Sequence, residues 1–247
     1  MNPGGWPSLQ AFEKLAAIVD GRPRIVEDPP LVTRLGAEEQ LEAVRAFFDG
    51  YRRTLPPERR HLVEQYRLVD AARKVVGVGS VGTRCYIALG VGHVHGDPAF
   101  LQIKEAQASL LEPHLGASPH GHAGERVVVG QRLLQANGDA FLGWASGPDG
   151  RDFFVRQLRD MKGGFELEAL TPAQMRAYAT ACGRTLARAH ARTLHPALVS
   201  GYLGSGRTFA TAITEFAVRY ADQNDADHAA LVQAVADGTI VAAATEG

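Results

Sequence analysis

Apolar positions recur at helical spacing through the first third of the chain. Leu9, Phe12, Leu15 and Val19 fall on one face and predict a short helix that stops at Gly21, after a flexible leader over residues 1–8. Asp28, Pro29 and Pro30 read as extended, because each proline pushes the residue before it out of the helical region. Leu41, Val44, Phe47 and Phe48 predict a second amphipathic helix from Glu38 to Tyr51, closed by Gly50. After the break at Pro56 and Pro57, the recurrence of Leu62, Gln65, Tyr66 and Val69 predicts a third, from Glu58 to Val69.

The period changes near Lys74. Val75, Val76 and Val78 are β-branched, and residues 83–89 mix β-branched and aromatic side chains at alternating positions. A turn-rich stretch over 90–98 leads to a second strand pattern over Phe100 to Glu105, which together predict an antiparallel hairpin. Glu125 to Ala136 reads as a helix. Residues 141–144 and 151–158 read as a further strand pair across Gly147 to Gly150. From Thr171 the pattern is helical again: Thr171 is placed as N-cap, Pro172 as the first helical residue and Gln174 as the partner in a capping box. Met175, Tyr178, Cys182, Leu186 and Ala189 form an apolar stripe, and further helices are predicted over Phe209 to Tyr220 and Asp227 to Val235. The fold class is therefore α+β: a helical segment over 1–72, a small antiparallel sheet with one helix over 73–163, and a helical segment over 164–247.

Composition narrows the function classes. With 26 Lys+Arg against 27 Asp+Glu, the formal net charge is -1, so the chain has no global basic field of the kind that gathers nucleic acid. No apolar run reaches the 18 or so residues that span a bilayer, and the first residues lack the basic-then-apolar order of a secretory signal. Cys85 and Cys182 match no metal or redox spacing. These features predict a cytoplasmic protein that binds neither membrane nor nucleic acid.

The strongest chemical signal is Gly77-Val78-Gly79-Ser80-Val81-Gly82. Closely spaced glycines let backbone N–H groups approach phosphate oxygens without a Cβ in the way. A Walker A loop needs Lys after the last Gly, and Thr83 stands there. The letters fit G-x-G-x-x-G, but a dinucleotide loop opens a helix, and the residues after Gly82 are strand-like. A loop that joins two antiparallel strands and covers phosphates from above is the protein-kinase arrangement, which asks for a lysine on the next strand. Lys104 occupies that place. Taken singly, glycine triplets often mark a bulge or tight turn, and a strand lysine is usually solvated.

Residues 75–89 (VVGVGSVGTRCYIAL), 101–106 (LQIKEA), 126–144 (RVVVGQRLLQANGDAFLGW), 154–163 (FVRQLRDMKG) and 185–192 (TLARAHAR) resemble a bacterial family, domain of unknown function 2252, as does the tail from Tyr220 through His228. The resemblance runs from about residue 15 and is to the family's C-terminal part. It implies a kinase-like small lobe similar to aminoglycoside phosphotransferases in permuted order, incomplete here. Family members carry, upstream, a G-D-x-H-x-x-N-F catalytic-loop-like string and an F-D-x-N-D-F-D metal-binding-like string, and this chain has neither. His95-Gly96-Asp97 begins like such a loop but lies in a hairpin turn without the following Asn. Asp222, Asp225, Asp227 and His228 fall between two predicted helices, where acidic residues serve as N-caps.

On the kinase-like reading, Gly77, Gly79, Ser80 and Gly82 cover phosphates of ATP and Lys104 pairs with phosphate oxygens. Arg156, Gln157, Leu158 and Met161 lie where a strand runs into a linker, the backbone meeting an adenine edge and the side chains flanking its face. The helix glutamate that holds the strand lysine in kinases has Glu125 and Gln131 as candidates, while Glu105 would point to the opposite sheet face. Arg159, Asp160 and Lys162 read as hinge charges or a solvated turn, and Arg184 with Arg188 as a solvated helix face or a phosphate-steering pair. No catalytic residue and no Mg²⁺ ligand is assigned. The expectation is the nucleotide-binding half of a phosphotransferase-like protein, inactive alone, whose partner is a separate chain carrying the missing half or a second copy. A non-catalytic binding or regulatory module is the alternative, and an NAD(P)-dependent oxidoreductase the weaker one.

Overall fold

A computed structural model describes residue 12 and residues 14–35, 38–77, 82–93, 97–158 and 166–241, with backbone alone for 38–41. The architecture is α+β. A six-stranded antiparallel sheet runs in the order β3 (Val32–Arg34), β4 (Tyr66–Lys74), β5 (Cys85–Gly92), β6 (Pro98–Ala106), β8 (Asp152–Gln157) and β7 (Gly143–Ser146). A two-stranded ribbon, β1 (Ala16–Val19) and β2 (Arg22–Ile25), stands apart from it. The chain divides into two compact units, residues 1–192 and 193–247.

Two helix expectations in the first third are corrected. Ala16–Val19 is a strand, because Asp20 and Gly21, at φ 51° and 70°, make a two-residue hairpin turn that pairs Val19 with Arg22. The predicted helix to Val69 ends at Glu64, and Tyr66–Lys74 becomes β4. Leu68 and Ala71 join the apolar cluster on one face of the sheet, Val69 and Ala72 the cluster on the other, with a register shift between Leu68 and Asp70. A strand buried on both faces reads as a continuous apolar run, which imitates helical spacing over a few residues.

The first face is covered by α1 (Glu38–Arg53), which carries Phe47, Phe48 and Tyr51 into the core, and by α2 (Pro57–Glu64) behind it. Phe47 meets Phe48 and Phe153 edge to face at 5.9 and 5.8 Å between centroids. Tyr51 is fully buried, and its hydroxyl donates to the Phe141 carbonyl at 2.6 Å. The second face holds Ile25, Ala72, Ile87, Leu89 and Phe100. There the β1–β2 ribbon is fastened by Asp70, which is buried and accepts from the Ile25 N–H at 2.8 Å and from Arg24 at 3.4 Å.

Past the sheet's third and fourth strands come α3 (Glu112–Leu115) and α4 (Ala123–Leu134), the latter close to the predicted 125–136. The helix packs on β7 and β8. Its Ala123 N–H donates to Asp152 Oδ2, its Arg132 sits 5.9 Å from the Trp144 ring centre, and Gly124 lies so close to the Phe153 carbonyl that a Cβ would collide with it. In α5 (Pro172–Ala191) the Thr171–Gln174 capping box forms as expected. After α6 (Pro196–Leu203), α7 (Arg207–Ala236) is one continuous helix where two were predicted. No Gly or Pro interrupts it, and Gln223 donates to Asp227 at 2.8 Å across one turn, so Asp222, Asp225 and Asp227 are interior helix positions and not N-caps. No described helix is long and apolar enough to cross a membrane.

Candidate functional site

The Gly-rich segment joins β4 to β5, which pair antiparallel, so a strand and not a helix comes after it. Gly82 adopts φ +80°, the left-handed region where a Cβ is strained, and space around Gly77 is open. Gly79 and Ser80 lie outside the described residues, as do Met161, Arg159, Asp160, Lys162, His95 and Gly96.

Register fixes what lies at the foot of this connection. Cys85 on β5 pairs with Lys104 on β6, and Lys104 with Phe154 on β8. One pleat further in, Ile87 pairs with Gln102 and Gln102 with Arg156. Residues two apart on a strand share a face. Lys104, Gln102, Cys85 and Arg156 therefore stand together on the second face, beside Lys74, which is two residues beyond Ala72 on β4. The same face receives α4, through Asp152 and Trp144. Lys104 lies within β6, the strand that follows the hairpin's first two, as the strand pattern over 100–105 reads.

The electrostatics of the cluster are positive. Gln102 is buried, and its Oε1 accepts from Arg156 Nε at 2.9 Å and Nη2 at 2.7 Å. The buried Cys85 thiol is pushed up by its burial; opposing that, Lys104, a hydrogen bond from Gln102, Arg156 and Lys74 all favour its thiolate. Three cations from three strands thus act on one sulfur. Among the described residues no carboxylate forms an ion pair with Lys74, Lys104 or Arg156.

The remaining expected residues are more scattered. Glu125 faces His120 at 3.7 Å and not Lys104, and Gln131 lies near the C-terminal end of α4. Neither is joined to Lys104 by a hydrogen bond or ion pair. Glu105 points to the opposite face, as alternation requires, where it accepts from the Arg84 N–H at 3.0 Å and sits 3.4 Å from Arg151. That buried carboxylate clasps the end of the Gly-rich connection. The Gln157 N–H donates to Asp139 at 2.7 Å, and the Leu158 N–H donates to the Phe100 carbonyl at 2.9 Å, while the Leu158 side chain packs on the second-face cluster. Arg184 and Arg188 lie on the exposed surface of α5. Asp97 accepts from the Tyr66 hydroxyl at 2.9 Å in the β5–β6 connection. Among the described residues no group of three or more His, Cys, Asp or Glu side chains is placed to hold a metal ion. Lys74 and the Gln102–Arg156 pair were not grouped with Lys104 by sequence. Their signal is the two-residue alternation Gln102/Lys104 and Phe154/Arg156, readable once β6 and β8 are paired.

A family model described as "Uncharacterized protein conserved in bacteria (DUF2252)" matches residues 7–234. The match takes in the N-terminal helices and ribbon as well as the sheet and α5 to α7, so it begins ahead of residue 15 and is not confined to a C-terminal part. No curated protein and no solved structure matches the chain.

Proposed function

The chain belongs to the DUF2252 family, and on that premise we propose that the Lys104 face, together with the Gly-rich connection, binds the phosphates of ATP as the nucleotide half of a kinase-like phosphotransferase. The observation that carries this reading is the cluster of Lys74, Lys104 and Arg156 without a carboxylate partner among the described residues, at the foot of a glycine-rich turn between antiparallel strands. Cations that share one small area repel one another, and an anionic ligand relieves that repulsion. Lys104 supplies a point charge, and glycine N–H groups suit close approach to phosphate oxygens.

Phosphoryl transfer also needs a carboxylate to orient the nucleophile and ligands for Mg²⁺. The described residues offer no cluster of acidic side chains for the metal, so no step is assigned to Mg²⁺ on this chain. The residues in hand are assigned the nucleotide-binding role alone; the catalytic carboxylate and the metal ligands would come from the acidic strings that the resemblance places upstream in family members. A non-catalytic binding or regulatory module that keeps the fold without turnover is the second reading. The strand after Gly82 speaks against a dinucleotide-dependent oxidoreductase.

Thermal unfolding with ligands separates the readings. Saturation at 100 Kd stabilises by about 2.7 kcal/mol, which for a chain of this size raises the midpoint by about 5–10 °C. Mg-ATP is expected to give that shift and Lys104→Met to abolish it. A shift with NAD and none with ATP would install the oxidoreductase reading. A shift with neither leaves a module that binds something other than a nucleotide.

A further inference from the structure

We propose that Arg156 is a second phosphate-binding cation of this site and that Gln102 is the residue that aims it. The inference rests on the nucleotide reading above and adds a specificity determinant to it. The sequence reading sets Arg156 where a strand runs into a linker; in the structure it lies within β8. It stands directly across from Gln102 and diagonally from Lys104, on the same face. Its guanidinium leans inward over β6, since both contacts go to the Gln102 Oε1. Its charge is felt as far as Cys85 on β5.

The donor count shows what is left over. A guanidinium carries five N–H donors. One on Nε and one on Nη2 are spent on Gln102, along one edge of the group. The Nη1–Nη2 end, a planar two-donor fork, has no acceptor among the described residues. Such a fork matches two oxygens of a phosphate, and it is held rigidly because its anchor is nine-tenths buried. The anchor is also neutral. A carboxylate at position 102 would orient Arg156 equally well but would cancel its charge; an amide orients it and leaves the full positive charge for a ligand. That choice distinguishes an aimed anion receptor from a structural ion pair.

The test uses the full chain, with inorganic tripolyphosphate and adenosine as separate probes in calorimetric titrations. Arg156→Gln is expected to weaken tripolyphosphate and ATP binding by about 10- to 100-fold, the range of a lost charged hydrogen bond, while adenosine affinity stays unchanged. Gln102→Glu is expected to weaken tripolyphosphate as well, with an unaltered near-ultraviolet dichroism spectrum, because geometry survives and charge does not. If the wild type binds tripolyphosphate and both variants bind it equally well, the inference is overturned and the nucleotide reading survives. If the wild type binds neither ATP nor tripolyphosphate, the nucleotide reading itself fails and takes the inference with it. Should Arg156→Gln not fold, Arg156→Met keeps the aliphatic stem without the charge, and full affinity in that variant overturns the role equally.

Discussion

Tyr51 shows how one side chain ties α1 to β7 and the turn before it, and makes stability depend on pH. Its ring is wedged between α1 and β7, where Gly143 leaves no room for a Cβ beside it, and its hydroxyl reaches the carbonyl of Phe141. Burial, with a smaller push from Asp139, holds the phenol far above its ordinary value of 10.0. A group whose folded-state pKa is raised stabilises the fold fully below its unfolded value, and that contribution is lost as pH climbs from there toward the folded value. Near pH 8, Tyr51→Phe is expected to cost about 1–2 kcal/mol, because the Phe141 carbonyl loses its donor. Above pH 10 the gap should close by about 1.4 kcal/mol per pH unit, since only the wild type then forgoes ionisation of its unfolded tyrosine. Urea midpoints for both proteins between pH 8 and 11 check this; parallel curves would mean that the phenol does not set the dependence. Tyr66 and Tyr86 are also raised, chiefly by burial, and the comparison of two proteins cancels them.

Among the elements, the ribbon β1–β2 is the least expected and the most instructive. Asp-Gly between short extended segments is a strong hairpin signal, yet the apolar spacing of Phe12, Leu15 and Val19 overrides it when the chain is read by period alone. The ribbon covers the second face through Ala16 and Ile25. Gly21→Ala puts a Cβ into the left-handed region, at a cost of about 1–2 kcal/mol. It is expected to raise amide exchange in residues 16–25 while leaving β5 and β6 protected, and uniform protection in both would show that the turn does not hold the ribbon. The hairpin β5–β6, the pair β7–β8, α4 and the capping box were legible because each announces itself within a dozen residues. The strand β4 was not, because a two-sided buried run lacks a period of its own. The continuity of α7 was hidden by Asp and Asn residues that cap helices elsewhere but tolerate a helix interior. For the site, the glycine turn and Lys104 were legible for the same local reason. Arg156 and Gln102 needed the partnership of β6 with β8, which spans about fifty residues of sequence and is set by register, not by motif.

At the scale of the whole molecule, each of the two units carries a helix with exposed apolar residues. No described residue of α5, α6 or α7 is buried. On α7, Phe209, Ile213, Phe216 and Tyr220 recur at spacings of four, three and four, a single stripe in which each side chain is about half exposed or more, and the Phe216 and Tyr220 rings stack at 5.7 Å. Within its own unit, α5 exposes Leu186 to a similar degree and Met175 and Tyr178 by a little more than a third. Isolated apolar residues on a surface need no explanation, but contiguous stripes along helices of 20 and 30 residues do. A helix of that kind draws most of its stability from the surface its apolar face packs against. A second copy of the chain offers such a surface, so α7 is expected to pair with α7 of another copy. Light scattering on the purified chain should then report a mass at least twice that of one chain, and Ile213→Glu with Phe216→Glu should return it to a single chain. The Mg-ATP shift should persist in the double variant, because the Lys104 face belongs to the sheet and not to α7. A wild-type protein that runs as a monodisperse single chain and binds no hydrophobic dye would show these stripes to be tolerated in water, and the need for a covering partner would fall with them.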